Sequence, residues 1–272
     1  MSDIAPEPVR EPIIDAAALA DAATRLIELL RLRTLPIGMK LFEDEAAIDA
    51  IAGLRRPPAG KTYSTCQLVT QARIAGLTLG ITTANVPEFS NCSGVIGLDA
   101  PSDLYLSGRK MEGVWFENRE ASAAHQAGMP RVAPGRYHAL AVSPLRTARL
   151  DPPDICLFYA NPAQMILFFN GLQWKSYRRY DFSITGESAC ADSWGRALAT
   201  RQVSLSIPCY AERRYGGVAD DELLMACPPA DLLRGVTGLA SLSKAGLRYP
   251  IMPFGPQAEP AEGMARSYAG KT

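Results

Sequence analysis

The sequence predicts an α/β fold: a mixed sheet, or two related sheets, with helices outside, from a pseudo-duplicated chain. Three observations carry this. Strand-length apolar runs alternate with segments of helical period. A Cys-helix-strand-Cys order occurs twice, Cys66 to Cys92 (92 − 66 = 26 positions) and Cys190 to Cys209 (209 − 190 = 19). With 272 residues, the chain is long enough for one large or two medium domains without disulfides. The predicted organisation is a flexible arm over 1–14, a first half over 15–128, a second half over 129–249 and an extended, proline-rich tail over 250–272.

In chain order, Leu19, Ala23, Leu26, Ile27 and Leu30 recur at helical spacing and predict a first helix over 15–32. PIGMKLF (36–42) reads as a strand feeding a small acidic helix, EDEAAIDAIAGL. CQLVTQARIA is a helix stopped by Gly76, and LTLGITT (77–83) is a strand. SGRKMEG (107–113) is a turn or loop at the surface. In the second half, YHALAVSP (137–144) and DICLFYA (154–160) are strands, the latter nearly all apolar as a central strand requires. Asn161-Pro162 opens a buried helix, since Asn caps well and Pro fits the first helical position. YRRYDFSITG reads as a further strand, and DDELLMACPPADLLRGVTGLASLSKAG as two short helices split by Pro228-Pro229.

Composition excludes several classes of function. Lys+Arg and Asp+Glu both total 28, so no global field favours nucleic acid or an anionic membrane. No apolar run reaches the roughly 18 residues of a membrane helix, and MSDIAPEPVREP lacks the order of a signal peptide. The expected location is the cytoplasm, where the six cysteines are reduced thiols. With His125 and His138 the only histidines, a histidine-rich metal site is ruled out. No P-loop or complete dinucleotide fingerprint occurs.

The residues left to carry chemistry are thiols and arginines. Cys66, Cys92, Cys190 and Cys209 together supply the soft donor set of an iron–sulfur cluster or a zinc ion, although no CxxC anchors them. Cys66 and Cys190 also stand at predicted helix starts, where unpaired amides and the dipole lower a thiol's pKa, so either is a candidate catalytic nucleophile. Against both readings stands simple burial, the ordinary use of free cysteine and the reading that suits Cys156 and Cys227. Arg109, Lys110, Arg213 and Arg214 are candidate binders of an anionic small molecule. Glu187 and Glu212 are candidate bases or guanidinium partners. The functional expectation is a thiolate-metal protein with a redox or lyase-type role on a small anionic metabolite. The alternatives are a metal-free cysteine enzyme and a non-catalytic binding protein. A homo-oligomer is compatible with the neutral chain.

At the same residues the chain resembles the DUF169 family of uncharacterised prokaryotic proteins. The blocks that carry the resemblance are LRTLPIGMKLF (32–42), Cys66-Gln67, NCSGVIGL (91–98), SPL (143–145), PDICLFYANPAQ (153–164), GESACADSW (186–194), SIPCYAERR (206–214) and DELLMACPP (221–229). The family pattern reads Cys-Asp-Gly-Ala-Arg where this chain has Cys209-Tyr210-Ala211-Glu212-Arg213, so the glycine that would admit close backbone approach is absent here. The resemblance implies no activity. It does imply a functional weight for the four named cysteines, which lie in recurring blocks; Cys156 and Cys227 do not stand out.

Overall fold

Asp15 caps the first helix, α1 (Ala16–Leu30), by accepting a hydrogen bond from the Ala18 amide, and Leu19, Ala22, Ala23, Leu26 and Leu30 form its buried stripe. A computed structural model describes residues 14–87 and 91–252. The predicted arm, except Ile14, and the predicted tail beyond Met252 lie outside the described residues.

Six strands follow: β1 (Ile37–Phe42), β2 (Leu79–Thr82), β3 (Ala139–Pro144), β4 (Ile155–Ala160), β5 (Ser204–Ser206) and β6 (Leu223–Cys227). They form one sheet in the order β2-β3-β1-β4-β6-β5. Each pairing between them is antiparallel, so the expected mixed sheet, or pair of sheets, is corrected to a single antiparallel one. Outward from the centre the order is β1-β3-β2 on one side and β4-β6-β5 on the other. This is a correspondence of strand order; a duplication of the chain is not shown by it. β3, counted above with the second half, pairs with β1 and β2 of the first.

Strand alternation divides the interior into two layers. Ile155, Leu157 and Tyr159 of β4, with Ile37, Met39 and Leu41 of β1, face a layer built from α2 (Thr65–Ala75), α3 (Asn91–Val95), α7 (Arg196–Thr200) and the π-helical turn Ala191–Gly195 that precedes α7. Cys156, Phe158 and Ala160 face the opposite layer, made by α1, α6 (Pro162–Leu172) and α9 (Pro229–Lys244). In that second layer α6 and α9 touch backbone to backbone: a Cβ on Gly238 would lie 2.0 Å from the Gly171 carbonyl oxygen, so only glycine fits there. Three more helices, α4 (Asp103–Leu106), α5 (Arg119–Ala127) and α8 (Tyr210–Gly216), surround the first layer.

Three sequence expectations change. DELLMAC does not open a helix: Leu223–Cys227 is β6, buried between both layers, and an apolar run that short has no period by which to tell strand from buried helix. The two expected helices are therefore one strand and one sixteen-residue helix that starts at Pro229. Residues 177–186 form no strand; Tyr180 and Phe182 pack instead on Phe169 of α6, with ring centroids 5.5 and 5.4 Å away. The acidic segment after β1 is a 3₁₀ turn, Glu45–Ala50, capped by Asp44.

Candidate functional site

Four helix starts bring the four cysteines to one cavity. Ser64 caps α2 and, with Gln67, forms a reciprocal capping box that fixes Cys66 in the first turn. Cys92 is the second residue of α3. Cys190 stands directly before the π-helical turn, and Cys209 is the N-cap of α8. The approach to Cys190 is strained, since Ser188 adopts a left-handed φ of 60°. The turn after it is tight enough that a Cβ on Gly195 would meet Val95 Cγ1 at 2.1 Å. π-helical turns of this kind concentrate at functional sites.

All four cysteines line a cavity of about 410 Å³, together with Tyr105, Lys110, Trp115, Glu187, Tyr210 and Glu212 among others. Cys66 Sγ and Cys92 Sγ are 3.3 Å apart, and Cys92 is also hydrogen-bonded to Cys190. The thiol of Cys209 accepts from the backbone amides of Ala189 and Glu212. Cys190 and Cys209 are buried, whereas Cys66 and Cys92 are half-buried.

Electrostatics holds these groups as neutral thiols. The hydrogen bond with Cys92, then burial, puts Cys66 well above its usual range. The hydrogen bond with Cys190 does most to raise Cys92. Cys190 is lowered by its bond with Cys92, but burial and the neighbouring Cys66 and Cys209 carry it upward. Burial pushes Cys209 up to about 12. A thiolate lowered by a helix start is therefore not what the fold provides at Cys66 or Cys190; desolvation and crowding of like charges outweigh the helix-start effect.

As a test of fit, the donor set is soft, convergent and mutually repulsive when ionised, which a cationic centre relieves. A single ion is a poor match. Tetrahedral zinc at about 2.3 Å from each sulfur needs every sulfur pair near 3.8 Å, and among the described residues no three His, Cys, Asp or Glu side chains are placed to hold one metal ion. A polynuclear cluster draws on the same soft donors, and Cys66, Cys92, Cys190 and Cys209 line one cavity.

Of the predicted anion binders, only Lys110 lines the cavity. Arg213 donates to the Pro208 and Ala219 carbonyls, at 3.1 and 2.6 Å, and so braces α8. Arg214 donates to Tyr210 Oη at 2.9 Å and stacks near the Tyr210 and Tyr215 rings. The exposed Arg109 bonds Ser107 Oγ in its own loop.

A second buried cluster backs the cavity, and most of it escapes a sequence reading. Tyr159 Oη donates a hydrogen bond to Glu212. The Arg73 guanidinium lies 4.1 Å from the Tyr159 ring centroid, pairs with Glu222 at 3.4 Å and donates to the Gly216 and Gly217 carbonyls. Burial lifts Glu212 to about 7, against the lowering pull of Tyr159 and Arg73. Arg73 is 1% exposed; a lone arginine inside QLVTQARIA was the available signal. His125 reaches the site as well, with Nε2 3.2 Å from the Glu187 carbonyl oxygen.

The fold and site thus define an antiparallel α/β protein whose cysteine-bearing helix starts enclose one cavity. The sequence model of DUF169, described as uncharacterised ArCR, matches residues 25–238, and the chain belongs to that family. The uncharacterized protein MJ0308 of Methanocaldococcus jannaschii is 22% identical over 225 residues, covering 80% of this chain and 92% of that protein. No solved structure matches. Among the described residues no helix is long and apolar enough to cross a membrane.

Proposed function

We propose that the protein holds an iron–sulfur cluster on Cys66, Cys92, Cys190 and Cys209 and has a redox or lyase-type role on a small molecule that enters the same cavity. The observation that carries this reading is the convergence on one cavity of four cysteines that lie as far apart in sequence as 66 and 209. Cys190 belongs to the apolar cluster of this face and Cys66 and Cys92 pack against it, but packing alone does not call for four thiols on one cavity wall.

The residues around the thiols have separable duties. The capping box at Ser64 and Gln67 and the backbone amides of Ala189 and Glu212 orient Cys66 and Cys209. A cluster bound there supplies electron transfer or a Lewis-acidic iron. Glu212, near neutrality and hydrogen-bonded to Tyr159, is placed to hold or release a proton at the cavity wall. Lys110 offers a cation to an anionic group of the substrate.

Purification without oxygen, followed by iron and sulfide analysis and visible and EPR spectra, tests the assignment. The expected result is about two or four irons per chain with matching sulfide, lost on replacing any of the four cysteines with serine. Colourless protein free of iron and sulfide would end the cluster reading.

A further inference from the structure

The cavity contains a carboxylate that the chain itself leaves incomplete. Glu187 is 9% exposed and lines the cavity, and its Oε2 is buried without a hydrogen-bond partner among the described residues. A buried acceptor in that state is costly and awaits a donor. The same cavity opens through a rim of rings. Trp115 and Tyr210 lie 5.4 Å apart, centroid to centroid, and with Tyr215 all three line the opening while remaining 42%, 52% and 67% exposed. Aromatic side chains held in water at the mouth of a cavity form a surface for an apolar or planar group.

We infer that Glu187 is a substrate-recognition residue that accepts a hydrogen bond from an ammonium or N–H group, while Trp115, Tyr210 and Tyr215 hold the ligand's ring or hydrocarbon body. The ligand class is thus a small molecule with a nitrogen donor at one end and an apolar body. With Lys110 in the same lining, an amino acid-like zwitterion meets each part of the wall. This rests on the reading above only in that the cavity admits a small molecule; it needs no metal.

Three probes on one scaffold separate the contributions. L-phenylalanine has both charges, phenethylamine lacks the carboxylate and 3-phenylpropionate lacks the ammonium. Ligand-observed NMR titration of the full chain as purified is expected to give binding of the first two about tenfold or more tighter than 3-phenylpropionate, as a charge-assisted hydrogen bond provides. Glu187→Gln should erase that preference, and Trp115→Ala should weaken all three probes alike. Equal or tighter binding of 3-phenylpropionate by the unmodified protein, which needs no variant to fold, overturns the inference; so does an unchanged preference in Glu187→Gln. Iron-loaded protein without the preference sinks this inference alone, and iron-free protein with it sinks only the cluster.

Discussion

The two faces of the sheet are made from the same strands yet differ in almost every physical respect. On the α1, α6 and α9 side, β4 and β6 present Cys156, Phe158, Met225 and Cys227, and the helices answer with leucine, phenylalanine, methionine and glycine. On the other side the same β4 presents Tyr159, and around it are buried Arg73, Glu187, Glu212, Glu222 and the cysteine cavity. One face holds the fold together by close packing. The other takes on desolvated charge and neutral thiols crowded together, an arrangement that stability alone does not favour. The contrast supports the site proposed on the second face, and each prediction below is a way to break or sharpen it.

The largest effect is expected at Arg73. Its guanidinium joins α2, the α8 terminus at Gly216 and Gly217, and Glu222 ahead of β6, at nearly zero exposure. Arg73→Met keeps the volume but leaves the buried Glu222 with only the Ala219 amide at 3.0 Å and a longer pair to Arg33 at 3.9 Å, which puts the cost at the lower end of the roughly 3–5 kcal/mol of a broken buried pair. Urea unfolding measures the loss, and Arg73→Met with Glu222→Gln should recover part of it. A single variant as stable as the parent would mean that the charged face carries no such dependence.

On the packing face, Gly238→Ala puts a methyl group 2.0 Å from the Gly171 oxygen and drives α9 off α6. A loss of about 3 kcal/mol is expected by urea unfolding. The cavity lies across the sheet, so whatever fraction stays folded should retain the proposed cluster to the same extent as the parent.

The third effect is one of pH. Glu212 has a folded pKa of about 7, above its ordinary 4.5. The folded state therefore holds the proton more tightly than the unfolded chain does. Its contribution is complete below pH 4.5 and is lost as pH rises through 7. Against Glu212→Gln, which does not titrate, the parent should lose up to about 3 kcal/mol between pH 5 and pH 8. Urea midpoints of both proteins across that range measure it, and a constant difference would mean that burial does not raise this carboxyl in the folded state.

How far the sequence reveals these faces depends on the range of the interaction. The strands at 37–42, 79–82, 139–144 and 155–160 were legible because apolar runs and turn residues are local signals. So were the start of α2 beside Cys66 and its stop at Gly76. β6 was not, since five apolar residues, four of them buried, next to prolines carry no period. Nor was Tyr159 beside Glu212, or Arg73 beside Glu222: those pairs span 53 and 149 positions, and only the antiparallel order of the sheet joins them.

The smallest stability change makes the sharpest test of the comparison, because both faces contain cysteine. Cys156 and Cys227 are register partners on adjacent strands, fully buried in the apolar layer. Replacing either by alanine removes one sulfur's packing and costs about 1 kcal/mol, with iron content unchanged. Replacing Cys66 or Cys92, half-buried at the cavity wall, removes less packing. It should leave the urea midpoint close to that of iron-free parent while abolishing iron retention. The two pairs are thus expected to exchange rank between the assays, stability sensing Cys156 and Cys227, and iron sensing Cys66 and Cys92. If Cys227→Ala lost iron as completely as Cys66→Ala, the division of labour between the faces would fail, since nothing but the sheet itself separates them.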